Sequence, residues 1–189
     1  MPLTKPKPYN APMTNIVYIA TSLDGYIAPE DGSLDWLGTV PNPEGDDLGF
    51  GEFIKRIDAV VMGRLSFEVV QSFDLGWHYP VPGIILSSTL KSLPAEFQEQ
   101  TFLTSGTPSE IVAFALSKGF QNLYIDGGTT IQRFLSADLV DEMIITEIPI
   151  LLGGGDQLFG SLQSQLKFEL VETTTLLGQM VKRHYKRKR

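Results

Sequence analysis

The sequence predicts an α/β protein built on one mixed, mostly parallel central sheet of about eight strands, with helices packed on both faces. Three observations carry this. Short apolar, β-rich runs recur along the chain: Ile16–Ala20 (IVYIA), Ala59–Met62 (AVVM) and Gly83–Leu86 (GIIL). Helix-forming stretches separate them, the alternation that crossovers between parallel strands require. The chain ends in two alternating segments, Phe168–Thr175 and Met180–Tyr185, set around Gly178, which read as an antiparallel hairpin at one edge.

The elements follow in order. Ile16–Ala20 is bounded by polar residues and reads as a buried strand. Asp24–Asp47 is rich in Gly, Pro and Asp and has little periodicity, so it reads as a long loop of the kind that tends to be functional. A helix is expected over Asp46 to Ile57, with Leu48, Phe53, Ile54 and Ile57 as its apolar side, although Gly49 and Gly51 weaken it. Ala59–Met62 is a second strand; Gly63 follows, then a short helix over Leu65–Ser72. Gly83–Leu86 and Thr101–Leu103 supply a third and a brief fourth strand. Thr107-Pro108-Ser109-Glu110 is a strong helix start: Thr107 caps, Pro108 suits the first turn and Glu110 completes a capping box, with Gly119 as the stop. Asn122–Ile125 is a fifth strand, Thr129–Ala137 a helix and Met143–Ile148 a sixth strand.

A chain of 189 residues, 42% hydrophobic and 20% charged, suits one domain with a real core. There is no internal repeat or interdomain linker, so residues 14–189 are taken as the domain and residues 1–13 as a flexible extension. That extension has no apolar stretch resembling a secretory signal, and no run is long enough to span a bilayer. The absence of cysteine excludes disulfides, thiolate metal sites and a cysteine nucleophile, and leaves the cytoplasm as the expected compartment. With only His78 and His184, no metal site is expected. The net charge of −7 is uneven. Residues 182–189 hold six of the 15 basic side chains, leaving a body with nine basic and 22 acidic residues. An acidic body argues against nucleic acid as a partner, and the basic KRHYKRKR tail reads as a solvated strand end.

Three turns bear the chemistry. In Met62-Gly63-Arg64-Leu65-Ser66, Gly63 permits close backbone approach, the following helix offers free N–H groups, and Arg64 adds a planar cation, together a seat for a phosphate. In Asp126-Gly127-Gly128-Thr129-Thr130, two glycines open a helix and two hydroxyls add donors, although the third glycine of the GxGxxG fingerprint is missing. Leu86-Ser87-Ser88 places two hydroxyls after a strand, where a nucleotide phosphate or ribose can bind. Each turn alone is what an ordinary strand–helix connection also needs. Together, at the carboxyl ends of parallel strands, they suit one ligand with two phosphate regions. No GxxxxGK[ST] segment is present, which argues against an ATP-using hydrolase or phosphotransferase.

The order of these segments resembles the dihydrofolate reductase superfamily, and most closely its small members similar to the reductase domain of bacterial riboflavin biosynthesis. The resemblance rests on IVYIATSLDGYIA, VVMGRLSFE, IILSS, LYIDGGTTIQRFL and ITEIPILLGGGDQLF, and runs from about Asn15 to Tyr185. It implies a three-layer sandwich of the dihydrofolate reductase type and an NADPH site. In that family the turn matching Gly63-Arg64-Leu65-Ser66 runs along the cofactor phosphates, and the segment matching Leu86-Ser87-Ser88 holds the 2′-phosphate end. The turn matching Gly127-Gly128-Thr129-Thr130, flanked here by Ile125 and Ile131, wraps the pyrophosphate. The backbone at Ala20 meets the carboxamide, and the loop Leu23–Trp36 covers the ring.

The implied substrate pocket lies between the first strand, the loop at Asp24, the Asp46–Ile57 helix and Thr146, with Trp36 as a wall. Asp47 stands where folate reductases carry a protonating carboxylate, counted back from Gly63. The chain departs from the bifunctional riboflavin enzyme: it has no zinc-binding deaminase segment, and the region before Met62 is acidic rather than basic (Glu44, Asp46, Asp47, Glu52). The resemblance therefore implies an NADPH-dependent reductase of a small heterocyclic substrate, most like the uracil reductase of riboflavin biosynthesis or dihydrofolate reductase. The alternative is an NADPH-binding protein without turnover. A homodimer is expected on the same ground.

Overall fold

The computed structural model describes residues 13–189, so the extension expected over residues 1–13 lies, apart from Met13, outside the described residues. The β-branched runs form the strands β1 (Thr14–Ser22), β3 (Ala59–Gly63), β4 (Gly83–Leu86), β5 (Thr101–Thr104), β6 (Asn122–Asp126) and β7 (Glu142–Ile148). These six are mutually parallel, and the C-terminal pair β9 (Phe168–Leu176) and β10 (Met180–Arg187) adds antiparallel edge strands. The eight-stranded order is β5-β4-β3-β6-β1-β7-β10-β9. Between β9 and β10, Leu177 and Gly178 both take positive φ (47° and 68°), the backbone of a tight hairpin turn with the twist of its strands.

Strand alternation divides the core between two faces of this sheet. Val17, Val61, Ile84 and Ile125 point one way, onto Ile111 and Ala115 of α3 (Pro108–Ser117) and Ile131 and Phe134 of α4 (Gly128–Ser136). Their neighbours Ile16, Val60, Ile85 and Tyr124 point the other way. They meet Phe53 and Ile54 of α1 (Phe50–Ile54) and Phe67 and Val70 of α2 (Arg64–Ser72). This is the three-layer arrangement expected from the sequence.

Two expectations need correction. The helix expected over Asp46–Ile57 is only five residues long, Phe50–Ile54. Leu48 and Gly49 both have positive φ (57° and 86°), which ends any helical path through them. Asp47 accepts hydrogen bonds from the N–H groups of Gly49 (2.8 Å) and Gly51 (2.9 Å), so it organises a turn instead of riding on a helix. The loop Asp24–Asp47 is also not structureless. It contains β2 (Tyr26–Ala28), which pairs antiparallel with β8 (Asp156–Gln157), and a 3₁₀ turn over Asp35–Gly38. A two-stranded ribbon this short has no sequence period to betray it, and its stability comes from what it packs on.

Candidate functional site

A cleft of about 1280 Å³ runs along the carboxyl rim of the parallel strands. It is bounded by β1, the β2–β8 ribbon, the 3₁₀ turn and the starts of α2 and α4. The first two glycine turns therefore open on one cavity. They also touch: a Cβ on Gly127 would collide with Ser66 Oγ, and one on Gly63 would lie 3.3 Å from Thr130 Oγ1. Gly127 has φ of +86°, a left-handed conformation that a side chain would strain. A Cβ on Gly128 would collide with Ile27 of the ribbon.

The helix ends differ in a way that bears on ligands. At α3, Thr107 and Glu110 satisfy the first-turn N–H groups through a complete capping box. At α2 and α4 the N-cap residues are Gly63 and Gly127, no side chain caps either helix, and neither first turn contains an acid. Both uncapped ends border the cleft, and α3, which is capped, does not. Orphan N–H groups at the positive end of a helix dipole are suited to anionic oxygens. The nine-residue lengths of α2 and α4 are enough to align such a dipole. The residues present therefore fit a pyrophosphate held between two adjacent glycine turns.

Most of the residues predicted for the cofactor lie on this cleft. Ala20, Gly63, Arg64, Leu65, Ser66 and Leu86 line it, as do Gly127, Gly128, Thr129 and Thr130. Arg64 is exposed and pairs with Glu68 one turn along α2. Ser87 follows Leu86, where its hydroxyl accepts from the N–H groups of Thr89 and Leu90 and shapes the turn, while Ser88 is exposed. Neither serine is part of the cleft wall. Ile125 and Ile131 are fully buried beneath the turn and support it from the core.

The predicted substrate residues separate. Trp36 is buried, lines the cleft and packs near Ala20, Ile148 and Met180. Its indole N–H has no hydrogen-bond partner among the described residues. Asp24 does not line the cleft: its carboxylate accepts from Ser22 Oγ (2.6 Å) and the N–H groups of Leu152 (3.1 Å) and Gly153 (2.8 Å). Those bonds, the Ser22 one foremost, hold it below the usual carboxylate range and tie the loop to the Gly-rich segment after β7. Thr146 is buried on β7 beside Ala20 and stays behind the cleft wall. Asp47 is exposed outside the cleft, and the Gly49 and Gly51 N–H groups hold its carboxyl low.

The residues that sequence reasoning passed over stand on the α1 side of the cleft. Tyr18, Phe50, Tyr79, Tyr124 and Asp126 all line it. Tyr124 Oη lies 3.0 Å from the Tyr18 carbonyl, to which it donates, and 3.2 Å from Asp126 Oδ1. Asp126 caps the end of β6 directly before Gly127 and has no salt-bridge partner among the described residues. Burial pushes its carboxyl up, outweighing the hydrogen bonds from Tyr124 and the Gly127 N–H. Burial, then the charge of Asp47, raises Tyr18 to about 12, and burial with the Asp126 charge raises Tyr79. The acid at the strand end was visible in DGG; its unpaired, aromatic setting was not, because Tyr18, Phe50 and Tyr79 come from distant parts of the chain.

Known proteins are similar to this chain in sequence and fold. The family model of the RibD C-terminal domain matches residues 14–182. The uncharacterized protein YwjB of Bacillus subtilis strain 168 is 36% identical over 175 residues, covering 91% of this chain and 97% of that protein. A Shewanella sp. PV-4 protein of known structure, provisionally described as a riboflavin biosynthesis protein, is 50% identical with a TM-score of 0.90, covering 94% of this chain and all of that one. Dihydrofolate reductase from Enterococcus faecalis, solved with NADP(H), shares the fold at 18% identity and a TM-score of 0.64, covering 93% of this chain and 97% of that one.

Proposed function

Because the chain belongs to the RibD C-terminal domain family, we propose that it is an NADPH-dependent reductase of a small carbonyl or imine substrate, in the class of the riboflavin-type uracil reductases and dihydrofolate reductase. The observation that carries this reading is the pair of uncapped helix N-termini, at Gly63 and Gly127, meeting at one cleft. Their N–H groups would donate to the pyrophosphate oxygens, and Thr129 and Thr130 add hydroxyls. Arg64 stands beside the same turn as a planar cation. Leu86 and the Ser87–Ser88 turn extend this rim toward β5, on the side where the adenosine end would lie.

When bound, NADPH supplies a hydride. The chain supplies the rest. The backbone at Ala20 would orient the reacting ring, and the ribbon β2–β8 with Trp36, which line the same cleft, would keep water from that end. The proton role expected of Asp47 passes to Asp126, whose carboxyl lies in the cleft and whose protonated form burial favours. Asp126 would hold a proton within reach of a substrate heteroatom in the cleft, and solvent would restore that proton after its transfer.

Purified protein titrated with NADPH should show saturable energy transfer to the nicotinamide from nearby aromatic side chains, Trp36 among them. NADH should bind more weakly and ATP should not displace the signal. Failure to bind NADPH at millimolar concentration would remove the reading.

A further inference from the structure

The cleft is chemically divided. One end presents N–H groups, hydroxyls and Arg64, all suited to phosphates. The other end, in front of α1, is a wall of rings: Tyr18 and Phe50 meet edge to face with centroids 5.7 Å apart, and Phe50 and Tyr79 stand 6.5 Å apart. Tyr124 backs this wall through Phe53, at 5.1 Å. Leu34 and Leu37 of the loop, Val69 of α2 and Phe73 just after it also line the cleft.

Charge is distributed just as unevenly. Among the described residues lining the cleft, the basic ones are Arg64 and Arg133. Arg64 is paired with Glu68 at the α2 start, and Arg133 donates to the Gly106 carbonyl at the start of α3. The polar groups lining the aromatic end are therefore the Asp126 carboxyl and the phenols. A phosphate or carboxylate placed there would lose its water and face Asp126, and the Lys182 ammonium near the Tyr18 hydroxyl is already engaged by the Leu48 carbonyl that both bond (2.9 and 3.1 Å). A flat neutral ring would gain face and edge contacts on three aromatics.

We propose that the substrate is an uncharged, planar carbonyl or imine compound, seated among Tyr18, Phe50 and Tyr79 with its heteroatom hydrogen-bonded to Asp126. This rests on the reductase reading and narrows it: uncharged rings are preferred over a phosphoribosyl pyrimidine or a glutamate-bearing folate. In the reaction the nicotinamide hydride adds to the carbon of the C=O or C=N bond. The π electrons of that bond move to the heteroatom, which takes the Asp126 proton. The products are NADP⁺ and the corresponding alcohol or amine.

The test uses charged and uncharged twins that share one ring. The pairs are 6-methyl-7,8-dihydropterin with 7,8-dihydrofolate, 5-amino-6-ribosylaminouracil with its 5′-phosphate, and 1,4-naphthoquinone with its 2-sulfonate. NADP⁺ binding to the intact protein is measured first, so that loss of the cofactor reading is seen separately. Calorimetry on the NADP⁺-loaded protein should then show the uncharged member binding at least about 30-fold more tightly in one or more pairs. NADPH oxidation should follow the same preference. Charged twins that bind as well as or better than their uncharged partners in every pair that binds, or the absence of any preference across all three pairs, overturn the proposal.

Discussion

Asp47 and Asp126 carry the same functional group in opposite settings. Asp47 is exposed and accepts two backbone N–H bonds, which stabilise its anion. Asp126 sits at a strand end among tyrosines, where desolvation favours the neutral acid. An acid that must deliver a proton near neutral pH works best when its proton affinity is raised. Asp126→Asn should therefore lower kcat by about 100-fold or more while NADPH still binds. Asp47→Asn should leave kcat within about threefold, since it lies outside the cleft. Steady-state NADPH oxidation by the two variants checks this, and a large loss in Asp47→Asn alone would return the proton role to that residue.

At the scale of elements, β7 and β10 are joined by more than their ladder. Glu142 on β7 is 8% exposed and lies 2.8 Å from Arg56, 2.9 Å from His184 and 3.6 Å from Lys186. Burial pushes its carboxyl up, but the Arg56 hydrogen bond and charge, then His184 and Lys186, pull harder, and the net shift is downward. A carboxyl lowered on folding contributes stability above its unfolded pKa, about 4.3, and loses it as pH falls through the folded value. Glu142→Gln should therefore melt earlier than the wild type at pH 7, because Arg56 and His184 are left facing a neutral group. The difference should shrink as pH falls below about 4. Thermal melts followed by circular dichroism from pH 7 to pH 3 test the sign. A gap that widens in acid would refute the assignment.

Across the whole molecule, two cores share one sheet. Residues pointing to α3 and α4 alternate strictly with those pointing to α1 and α2, so neither face can open without exposing the strands of the other. The cleft sits at the rim of that common sheet, and a ligand held there spans β1, β3, β4 and β6. Ligand binding should thus stabilise the fold as a unit. At NADPH one hundred times its dissociation constant, the gain is about 2.7 kcal/mol, seen as a rise of one cooperative transition. Calorimetric scans with and without NADPH measure it, and ATP at the same concentration should give no comparable rise. A transition that splits in two on loading would contradict the shared-sheet account.

The amino-acid sequence by itself determined the strands of the central sheet and the glycine turns at the rim of the cleft. Runs such as AVVM and GIIL have one plausible fate, burial in a parallel sheet, and a glycine turn between strand and helix is a local signal whatever surrounds it. Capping is local too, so the complete box at Thr107 was legible three residues at a time. The α1 region was misread because positive φ at Leu48 is set by packing and by the Asp47 turn, and no periodicity reports it. The β2–β8 ribbon pairs segments more than a hundred residues apart, each too short to signal itself. Only the tertiary structure decided the other side of the cleft, which Tyr18, Phe50, Tyr79, Tyr124 and Asp126 line together, with Tyr124 bonded to Asp126. Desolvation and the absence of a counter-charge are properties of a place in space, and a residue's neighbours in the chain do not specify that place.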